Sequence, residues 1–174
     1  MTTIGVAIAV PDPWGSQLQE YRASLGDASA HGIPTHITLM PPFEVDDAQV
    51  PEIEKHLAEA AAGTAPFTIH LRGTSTFRPV SPVVFVTVVR GISSCEQLAF
   101  AVRSGPLATD LAFPYHPHVT VAHDLEDSLL DQAFEDLAGF ECQFDADHFL
   151  LYAHDAEVGW QPTRDFTLTG GMGE

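Results

Sequence analysis

The chain has 174 residues, 45% of them hydrophobic, and its 24 acidic residues against 7 basic ones give a formal net charge of −17. The length fits one domain, and the strong negative charge excludes avid non-specific binding of DNA or long RNA, whose phosphates it would repel. Two distant cysteines, Cys95 and Cys142, exclude a disulfide scaffold. No apolar run is long enough to span a bilayer, so we expect a soluble, cytoplasmic protein that binds no membrane.

Strands and helices alternate in the first part of the chain. Ile4 to Val10 is apolar and rich in β-branched residues, which favours a buried strand. A helix is predicted over about residues 13–25. The next strand, THITLMPPF, alternates around Ile37 and Leu39, and we expect the proline pair at 41 and 42 to end it, because proline cannot donate to a strand ladder. The helical spacing of VPEIEKHLAEAAAG follows.

The rest of the chain predicts five more strands and two more helices. Two strands, PFTIHLRGTSTF and SPVVFVTVV, precede the helix SSCEQLAFAVRSGPL. The strand HVTVAHD and the helix EDSLLDQAFEDLAG come next, and the last two strands are expected near residues 148–153 and 165–169. The predicted order is therefore β-α-β-α-β-β-α-β-α-β-β, which is an α+β pattern.

A weak repeat connects the two halves of this pattern. Phe67 follows His36 by 31 residues, and Phe149 follows His118 by the same 31. A second offset also matches: Val84 follows His36 by 48 residues, and Phe166 follows His118 by 48, each in a later predicted strand. The identity between the halves is slight, so coincidence is the alternative. A genuine repeat predicts two similar αβ lobes related by an approximate two-fold axis, with the two histidine strands face to face.

Each half carries a histidine and a threonine at alternate positions of a strand. Side chains on a strand alternate between its faces, so His36 and Thr38 share one face of their strand, as His118 and Thr120 share one face of theirs. The aliphatic residues between them point into the core. The two strands together would offer two imidazoles and two hydroxyls around one cleft.

Those four groups suit the cleavage of a phosphodiester without a metal. In-line attack at phosphorus needs a base on one side and an acid on the side of the leaving oxygen. Histidine serves either role because its ordinary pKa of about 6.5 keeps both forms accessible. Threonine hydroxyls can donate to the non-bridging oxygens, where negative charge must be stabilised. One H-x-T run alone is more often a surface or satisfied histidine, but two runs of the same form are hard to explain by chance.

The chain resembles the two-histidine phosphoesterase superfamily, which includes the bacterial 2′-5′ RNA ligase-like proteins and RNA cyclic phosphodiesterases. The resemblance lies in HITL at 36–39 and HVTV at 118–121, which match the pattern histidine, hydrophobic, serine or threonine, hydrophobic. PPF after the first motif and YHPHVTVA around the second are similar as well. The resemblance covers nearly the whole chain, but it does not determine the substrate.

The resemblance implies one domain over residues 1–174, with two intertwined lobes. Each lobe would be an antiparallel sheet with helices on its outer side, and the cleft would lie between the lobes. It implies a hydrolase, a phosphodiesterase acting on 2′,3′-cyclic phosphates or 2′-5′ linkages. Separately, we expect a monomer that uses no cofactor. By motif position His36 and His118 would be the acid–base pair and Thr38 and Thr120 would hold the phosphate; which histidine is the acid stays open.

The sequence departs from many such relatives just after the second motif. Where they carry an arginine or lysine, this chain has His123, followed by Asp124, Glu126 and Asp127. A strong grip on polyanionic RNA is therefore not expected. We expect the partner to be a small nucleotide, a short RNA end with a cyclic phosphate, or an ADP-ribose-derived cyclic phosphate.

Three further residues are candidates for substrate binding. Tyr115 and Phe43 flank the motifs and could stack on a base, although packing at a strand end explains them equally well. Arg78 could reach a phosphate, although a solvent-facing loop arginine is the commoner case. His116 shares the face of His118 but lies outside the motif, so it is interpreted as structural. The remaining histidines are interpreted as surface or strand residues: His31, His56, His70, His148 and His154.

Two other functions are compatible with the sequence. A zinc site could use His116, His118 and His123, although it would leave the HITL motif unexplained. A non-catalytic module could keep the cleft in order to bind a nucleotide or a protein. The presence of both histidines and both threonines argues against lost chemistry.

Overall fold

The computed structural model describes residues 1–27 and 34–171. Within these ranges the chain forms eight strands and four helices, with short 3₁₀ turns at Asp47–Gln49 and Gly105–Leu107. The strands are β1 (Thr2–Ala9), β2 (His36–Val45), β3 (Phe67–Thr76), β4 (Val83–Arg90), β5 (His118–His123), β6 (Glu141–Ala146), β7 (His148–Asp155) and β8 (Gly159–Thr167). The helices are α1 (Trp14–Ser24), α2 (Val50–Ala62), α3 (Ile92–Val102) and α4 (Asp127–Asp136).

All eight strands form one antiparallel sheet in the order β6-β3-β4-β5-β2-β1-β7-β8. The predicted α+β fold with antiparallel strands is confirmed. The two motif strands, β2 and β5, are neighbours at the centre of the sheet, so they lie side by side and not face to face as predicted. Adjacent antiparallel strands present directly opposite residues on one face of the sheet, so the side chains of both motifs still share a face.

The sheet order also shows how far the repeat in the sequence extends. Each half of the sheet has four strands, and the residues at the offset of 31, Phe67 and Phe149, lie in β3 and β7, the third strand from the centre in either half. The offset of 48 does not correspond, because Val84 lies in the second strand from the centre, β4, and Phe166 in the fourth, β8. The N-terminal strand β1 occupies the place opposite β4, so the halves are not successive segments of the chain. The two-fold axis stays a prediction.

Strand β2 continues through the proline pair, so the prediction that Pro41 and Pro42 end it is wrong. Its pairing with β1 shifts there, from Met40 opposite Val6 to Phe43 opposite Ile4. Such a bulge leaves residues outside the regular ladder, and prolines within sheets are found at bulges because they have no N–H to donate.

The sequence analysis also missed one strand and misplaced the start of another. Strand β6, Glu141–Ala146, was not predicted, although its residues alternate regularly between exposed and buried. Strand β8 begins at Gly159, six residues before the predicted start. It contains Pro162, which is tolerated because β8 is the last strand of the sheet.

The hydrophobic core lies on the sheet face opposite the motif side chains. Alternate residues of the two central strands are completely buried there: Ile37, Leu39, Val119 and Val121. Helix α2 contributes Ile53 and Leu57, four residues apart and therefore on one face. Full burial of such a side chain stabilises the fold by about 1.5–3 kcal/mol. Because the core fixes one face of β2 and β5, it also fixes the direction of the alternate residues on the other face.

Cys95 and Cys142 are both free and buried, so the structure agrees with the absence of a disulfide scaffold. In the described ranges no helix is both long and apolar enough to cross a membrane. His31 lies outside the described residues, so its predicted surface position stays a prediction.

Candidate active site

The two motifs meet where β2 pairs with β5. Ile37 is the registered partner of Val119. In an antiparallel ladder, one step in each direction places His36 opposite Thr120 and Thr38 opposite His118. Directly opposite residues have Cβ atoms about 4.5–5.5 Å apart. The register therefore gathers two imidazoles and two hydroxyls into one group on the open face of the sheet.

Both imidazoles make the same hydrogen bond. The Nδ1 of His36 lies 2.7 Å from the carbonyl oxygen of Pro34, and the Nδ1 of His118 lies 2.7 Å from the carbonyl oxygen of His116. A carbonyl oxygen can only accept, so each Nδ1 carries the hydrogen and donates it. In both rings Nε2 is then the nitrogen that can take up or release a proton. Each acceptor is the residue two positions earlier in the chain, so the motif orients its own histidine.

Burial lowers the pKa of both histidines below the ordinary value of 6.5. The hydrogen bond to the backbone carbonyl opposes this shift in both rings, because it favours the protonated form. The nearby positive charges of Arg22 and His118 lower the pKa of His36 further. The charge of His116 does the same for His118. Both rings are therefore neutral near pH 7 in the free protein.

A buried ion pair lies close to His36. The Nε and one terminal nitrogen of Arg22 donate to Asp27 Oδ2 at 3.0 and 2.8 Å, and both residues are less than 5% exposed. The same oxygen accepts the backbone N–H of His123 at 3.2 Å. This pair ties the end of α1 to the end of β5. The sequence analysis missed it, and nothing in the local pattern around Arg22 distinguishes it from a surface arginine.

The hydroxyl groups of Thr38 and Thr120 have no hydrogen-bond partner among the described residues. Both side chains are half-buried. Two hydroxyls beside two imidazoles are therefore available to donate to a bound oxyanion, the role that the sequence analysis predicted for them.

The side of the site next to His118 is filled by aromatic rings. The ring of Phe77 lies 5.0 Å from that of His118, and Phe85 lies 5.2 Å away, both nearly edge to face. Both phenyl rings also contact His116, whose ring stacks 6.1 Å from that of His118. Phe85 is the registered partner of Thr120 on β4. This wall leaves little room beside His118.

The side next to His36 is open. The residues of β1 on this face are small, with Ala7 opposite Thr38 and Ala9 opposite His36. An open cavity lies there and reaches both His36 and Thr38. Its other lining residues include Gly5, Met40, Pro42, Tyr152 and Trp160. The sequence analysis missed Tyr152 and Trp160. The only sequence signal for this cavity was the run of small residues at alternate positions of β1.

The structure gives each predicted substrate-binding residue a definite position. Tyr115 donates its hydroxyl to the backbone oxygen of Thr38 at 2.7 Å, and its ring packs against the core. It therefore supports β2 and does not line the cavity. Phe43 also packs against the core, opposite Ile4. Both positions agree with packing at a strand end, the alternative to base stacking.

Arg78 lies among acidic residues of helix α4. Its guanidinium is 2.9 Å from Asp131 and 3.7 Å from Asp127, and its Nε donates to the hydroxyl of Thr76 at 3.2 Å. These contacts hold the arginine to the helix. They leave it neither free in solvent nor directed at the histidine pair.

The remaining described histidines make contacts outside the His36 and His118 pair. His56 Nε2 lies 3.0 Å from the carbonyl oxygen of Val102. His70 and His148 each lie 2.6 Å from a carboxylate oxygen, of Glu141 and Asp147. His154 packs edge to face against Trp160, with ring centres 5.1 Å apart. His123 lies at the other end of β5 from His118, and nowhere among the described residues do three His, Cys, Asp or Glu side chains gather as a metal site would require.

The chain is similar to known proteins over most of its length. A family model of the 2′-5′ RNA ligase superfamily matches residues 10–157, a range that contains both motifs. A protein of Oceanobacillus iheyensis named "Putative phosphoesterase" is 32% identical over 139 residues, which cover 78% of this chain and 81% of that one. A protein of the same name from Staphylococcus epidermidis is 28% identical over 172 residues, covering 95% and 98% of the two chains.

Solved structures show the same fold. The crystal structure of Escherichia coli LigT complexed with 3′-AMP superposes with a TM-score of 0.70 at 25% identity, covering 97% of this chain and 98% of LigT. The structure of TT0787 from Thermus thermophilus superposes with a TM-score of 0.66 at 20% identity, covering 98% and 100%. The antiparallel sheet described above is thus a shared architecture across nearly the full length of the chain.

Proposed function

The chain belongs to the 2′-5′ RNA ligase superfamily, and we propose that it is a metal-independent phosphodiesterase that opens nucleoside 2′,3′-cyclic phosphates. The observation that carries this proposal is the matched pair of histidines. His36 and His118 lie on neighbouring strands of one face, and each donates Nδ1–H to the carbonyl two residues earlier. Two imidazoles with Nε2 free to exchange protons are what in-line displacement at phosphorus needs.

The open side of the site suggests which histidine has which role. An open cavity lies beside His36, while aromatic rings fill the side next to His118. With the ribose in the cavity, the leaving ribose oxygen is nearer His36, and the attacking water is on the opposite side of phosphorus. His36 is then the general acid and His118 the general base.

The reaction balances with these two groups. His118 Nε2 takes a proton from water as the water oxygen bonds to phosphorus. The bond between phosphorus and one ribose oxygen breaks, and His36 Nε2 gives that oxygen its proton. The product is a nucleoside monophosphate with one free ribose hydroxyl. Thr38 and Thr120 donate to the non-bridging oxygens, and proton exchange with solvent restores both histidines.

Two observations favour a small substrate over long RNA. The net charge of −17 opposes the approach of a polyanion. Arg78, a candidate for holding phosphate, is ion-paired with carboxylates of α4. The crystal structure of E. coli LigT with 3′-AMP supports a single nucleotide as a suitable size for a cleft of this fold.

The direct test is turnover by purified protein after treatment with a chelator. We expect hydrolysis of adenosine 2′,3′-cyclic phosphate to a single monophosphate, identified by ³¹P NMR, at a rate unchanged by EDTA. A 2′-5′-linked dinucleotide belongs in the same assay, because the family name leaves that linkage open. If neither compound is cleaved, or if EDTA treatment abolishes the hydrolysis, the proposal is wrong.

A further inference from the structure

Tyr152 has a hydroxyl without a hydrogen-bond partner among the described residues. Its residue is only 6% exposed, and it lines the cavity beside His36. Burial raises the pKa of Tyr152 to about 12, so the phenol stays neutral and keeps its proton. Because the residue lines the cavity and its hydroxyl is unpaired, this hydroxyl is a candidate partner for a ligand.

Trp160, on β8, lies in the same cavity and reaches past β7 to the backbone of β1. Gly5 is the registered partner of Tyr152, and a Cβ atom at Gly5 would lie 3.5 Å from the six-membered ring of Trp160. The indole therefore lies close to the backbone of β1 at Gly5. His154, the registered partner of Trp160 on β7, packs edge to face against the same indole.

The chemistry of this cavity suits a neutral planar ring. Among the described residues, its lining includes no carboxylate, ammonium or guanidinium group. It offers an aromatic face at Trp160, apolar surface at Met40 and Pro42, and one neutral hydroxyl at Tyr152. Aromatic side chains stack on any nucleobase, and a hydroxyl can both donate and accept, so it can pair with the edge of more than one base. The cavity should therefore bind nucleotides more tightly than compounds without a base, but it should select only weakly among the bases.

We infer that Trp160 and Tyr152 form a base subsite, in which the ring of a nucleoside cyclic phosphate stacks on Trp160 and its edge meets the Tyr152 hydroxyl. This inference rests on the proposed function for the identity of the reaction. The cavity reaches both His36 and Thr38, so a base held there keeps its ribose phosphate beside the first motif. The subsite contributes binding energy and orientation, and the reaction itself occurs at the motifs.

Two substrates separate this subsite from the chemistry. Adenosine 2′,3′-cyclic phosphate carries a base, whereas glycerol 1,2-cyclic phosphate carries the same five-membered cyclic phosphate without one. For the Trp160→Ala variant we expect kcat/KM on the adenosine substrate to fall by about 10-fold or more. For Tyr152→Phe we expect a loss of about 2- to 10-fold, the usual effect of one hydrogen bond. Both variants should retain kcat/KM on the glycerol substrate within about twofold of the parent protein. This substrate has no base to bind the subsite, and it reacts at the motifs by the same mechanism.

Tyr152→Phe preserves the shape of the core, so it keeps the test valid even if Trp160→Ala folds poorly. Tyr21→Phe is the matched control, because it removes a tyrosine hydroxyl that donates to Asp136 on helix α4. Equal losses on both substrates, or no loss on either, would overturn the base subsite.

A binding measurement tests the subsite without any turnover. The chain has only two tryptophans, Trp14 and Trp160, so Trp14→Phe leaves Trp160 as the single tryptophan, which excitation at wavelengths beyond tyrosine absorption selects. We expect 3′-AMP to change the Trp160 emission at saturable concentrations, and ribose 3-phosphate to change it much less. If the parent protein cleaves neither cyclic phosphate but 3′-AMP still changes the emission, the proposed function fails and the subsite stands. If 3′-AMP leaves the emission unchanged, the subsite is wrong.

Discussion

Ile37 and Val119 face each other across the centre of the sheet, and they are the one registered pair between β2 and β5 among the described residues. Both side chains are completely buried in the core. Their pairing decides that each histidine lies opposite the threonine of the other motif. Away from this pair, the hydroxyl of Tyr115 supplies a second connection, because it donates to the carbonyl oxygen of Thr38 at 2.7 Å. The geometry of the site therefore depends on few contacts between its two halves.

Tyr115→Phe tests this connection. The variant keeps the ring in the core and removes only the hydrogen bond to Thr38. We expect the free energy of unfolding to fall by about 1 kcal/mol, the usual net value of one hydrogen bond. We also expect kcat to fall several-fold, because Thr38 loses a constraint on its strand. Urea unfolding and steady-state kinetics measure the two effects. Tyr21→Phe is again the control and should keep its kcat; an unchanged kcat in Tyr115→Phe would show that the bond does not position Thr38.

Removal of either motif histidine should nearly abolish hydrolysis. General acid or base catalysis contributes about 10²–10⁴-fold each, so His36→Ala and His118→Ala should each lower kcat by at least about 100-fold. Both rings are only half-buried, so the far-ultraviolet circular dichroism should match that of the parent protein. His148→Ala is the control, since His148 is exposed and bonded to Asp147. Activity within tenfold of the parent protein in either motif variant would contradict paired catalysis.

The role of the two threonine hydroxyls can be tested with substitutions that either keep or remove the hydroxyl alone. Valine preserves the shape of threonine, and serine preserves its hydroxyl. We expect Thr38→Val and Thr120→Val to lower kcat by about 10- to 100-fold, as each would remove one donor to the charged oxygens. Thr38→Ser and Thr120→Ser should lose much less. A valine variant that is as active as its serine counterpart would show that the hydroxyl does not act in the reaction.

The catalytic candidates in the two motifs can be predicted from local sequence, whereas the residues that line the cavity cannot. A strand alternates its faces with a period of two, so HITL and HVTV already place each histidine on the face of its threonine. Tyr152 and Trp160 reach the site only because β7 pairs with β1 and β8 pairs with β7. Gly5 and Tyr152 are paired in space but far apart in the chain, and no local pattern encodes that contact.

The errors in the predicted fold have similar physical origins. Pro41 and Pro42 would end an isolated strand, but here the partner strand β1 accommodates them in a bulge. Strand β6 is short and acidic, and its alternation, Glu141 to Ala146, is a signal that could have been found. Strand β8 contains a proline and lies at the end of the sheet, where the usual sequence preferences of strands are weakest.

The dependence of activity on pH follows from the lowered pKa values of His36 and His118. In the free protein both rings lose their protons below pH 6.5. The base must be neutral and the acid protonated, so kcat/KM, which reports the free enzyme, should form a bell with its maximum below pH 6.5. A bound phosphate anion favours protonated histidine, so the bell for kcat should lie at higher pH. A kcat/KM that has a single limb, or that still rises above pH 8, would contradict this assignment.

The same lowered pKa values predict how stability depends on pH. An unfolded histidine has a pKa of about 6.5 and the folded His36 has a lower one, so between these values the unfolded chain binds more protons than the folded chain. The contribution to stability is fully present above pH 6.5 and is lost as the pH falls towards the folded pKa. His36→Gln removes the titrating group, so its free energy of unfolding should decrease less than that of the parent protein between pH 7.5 and pH 5. Urea unfolding at the two pH values measures the difference, with His148→Ala as control. An equal decrease in His36→Gln and the parent protein would show that burial does not disfavour the charged form of His36.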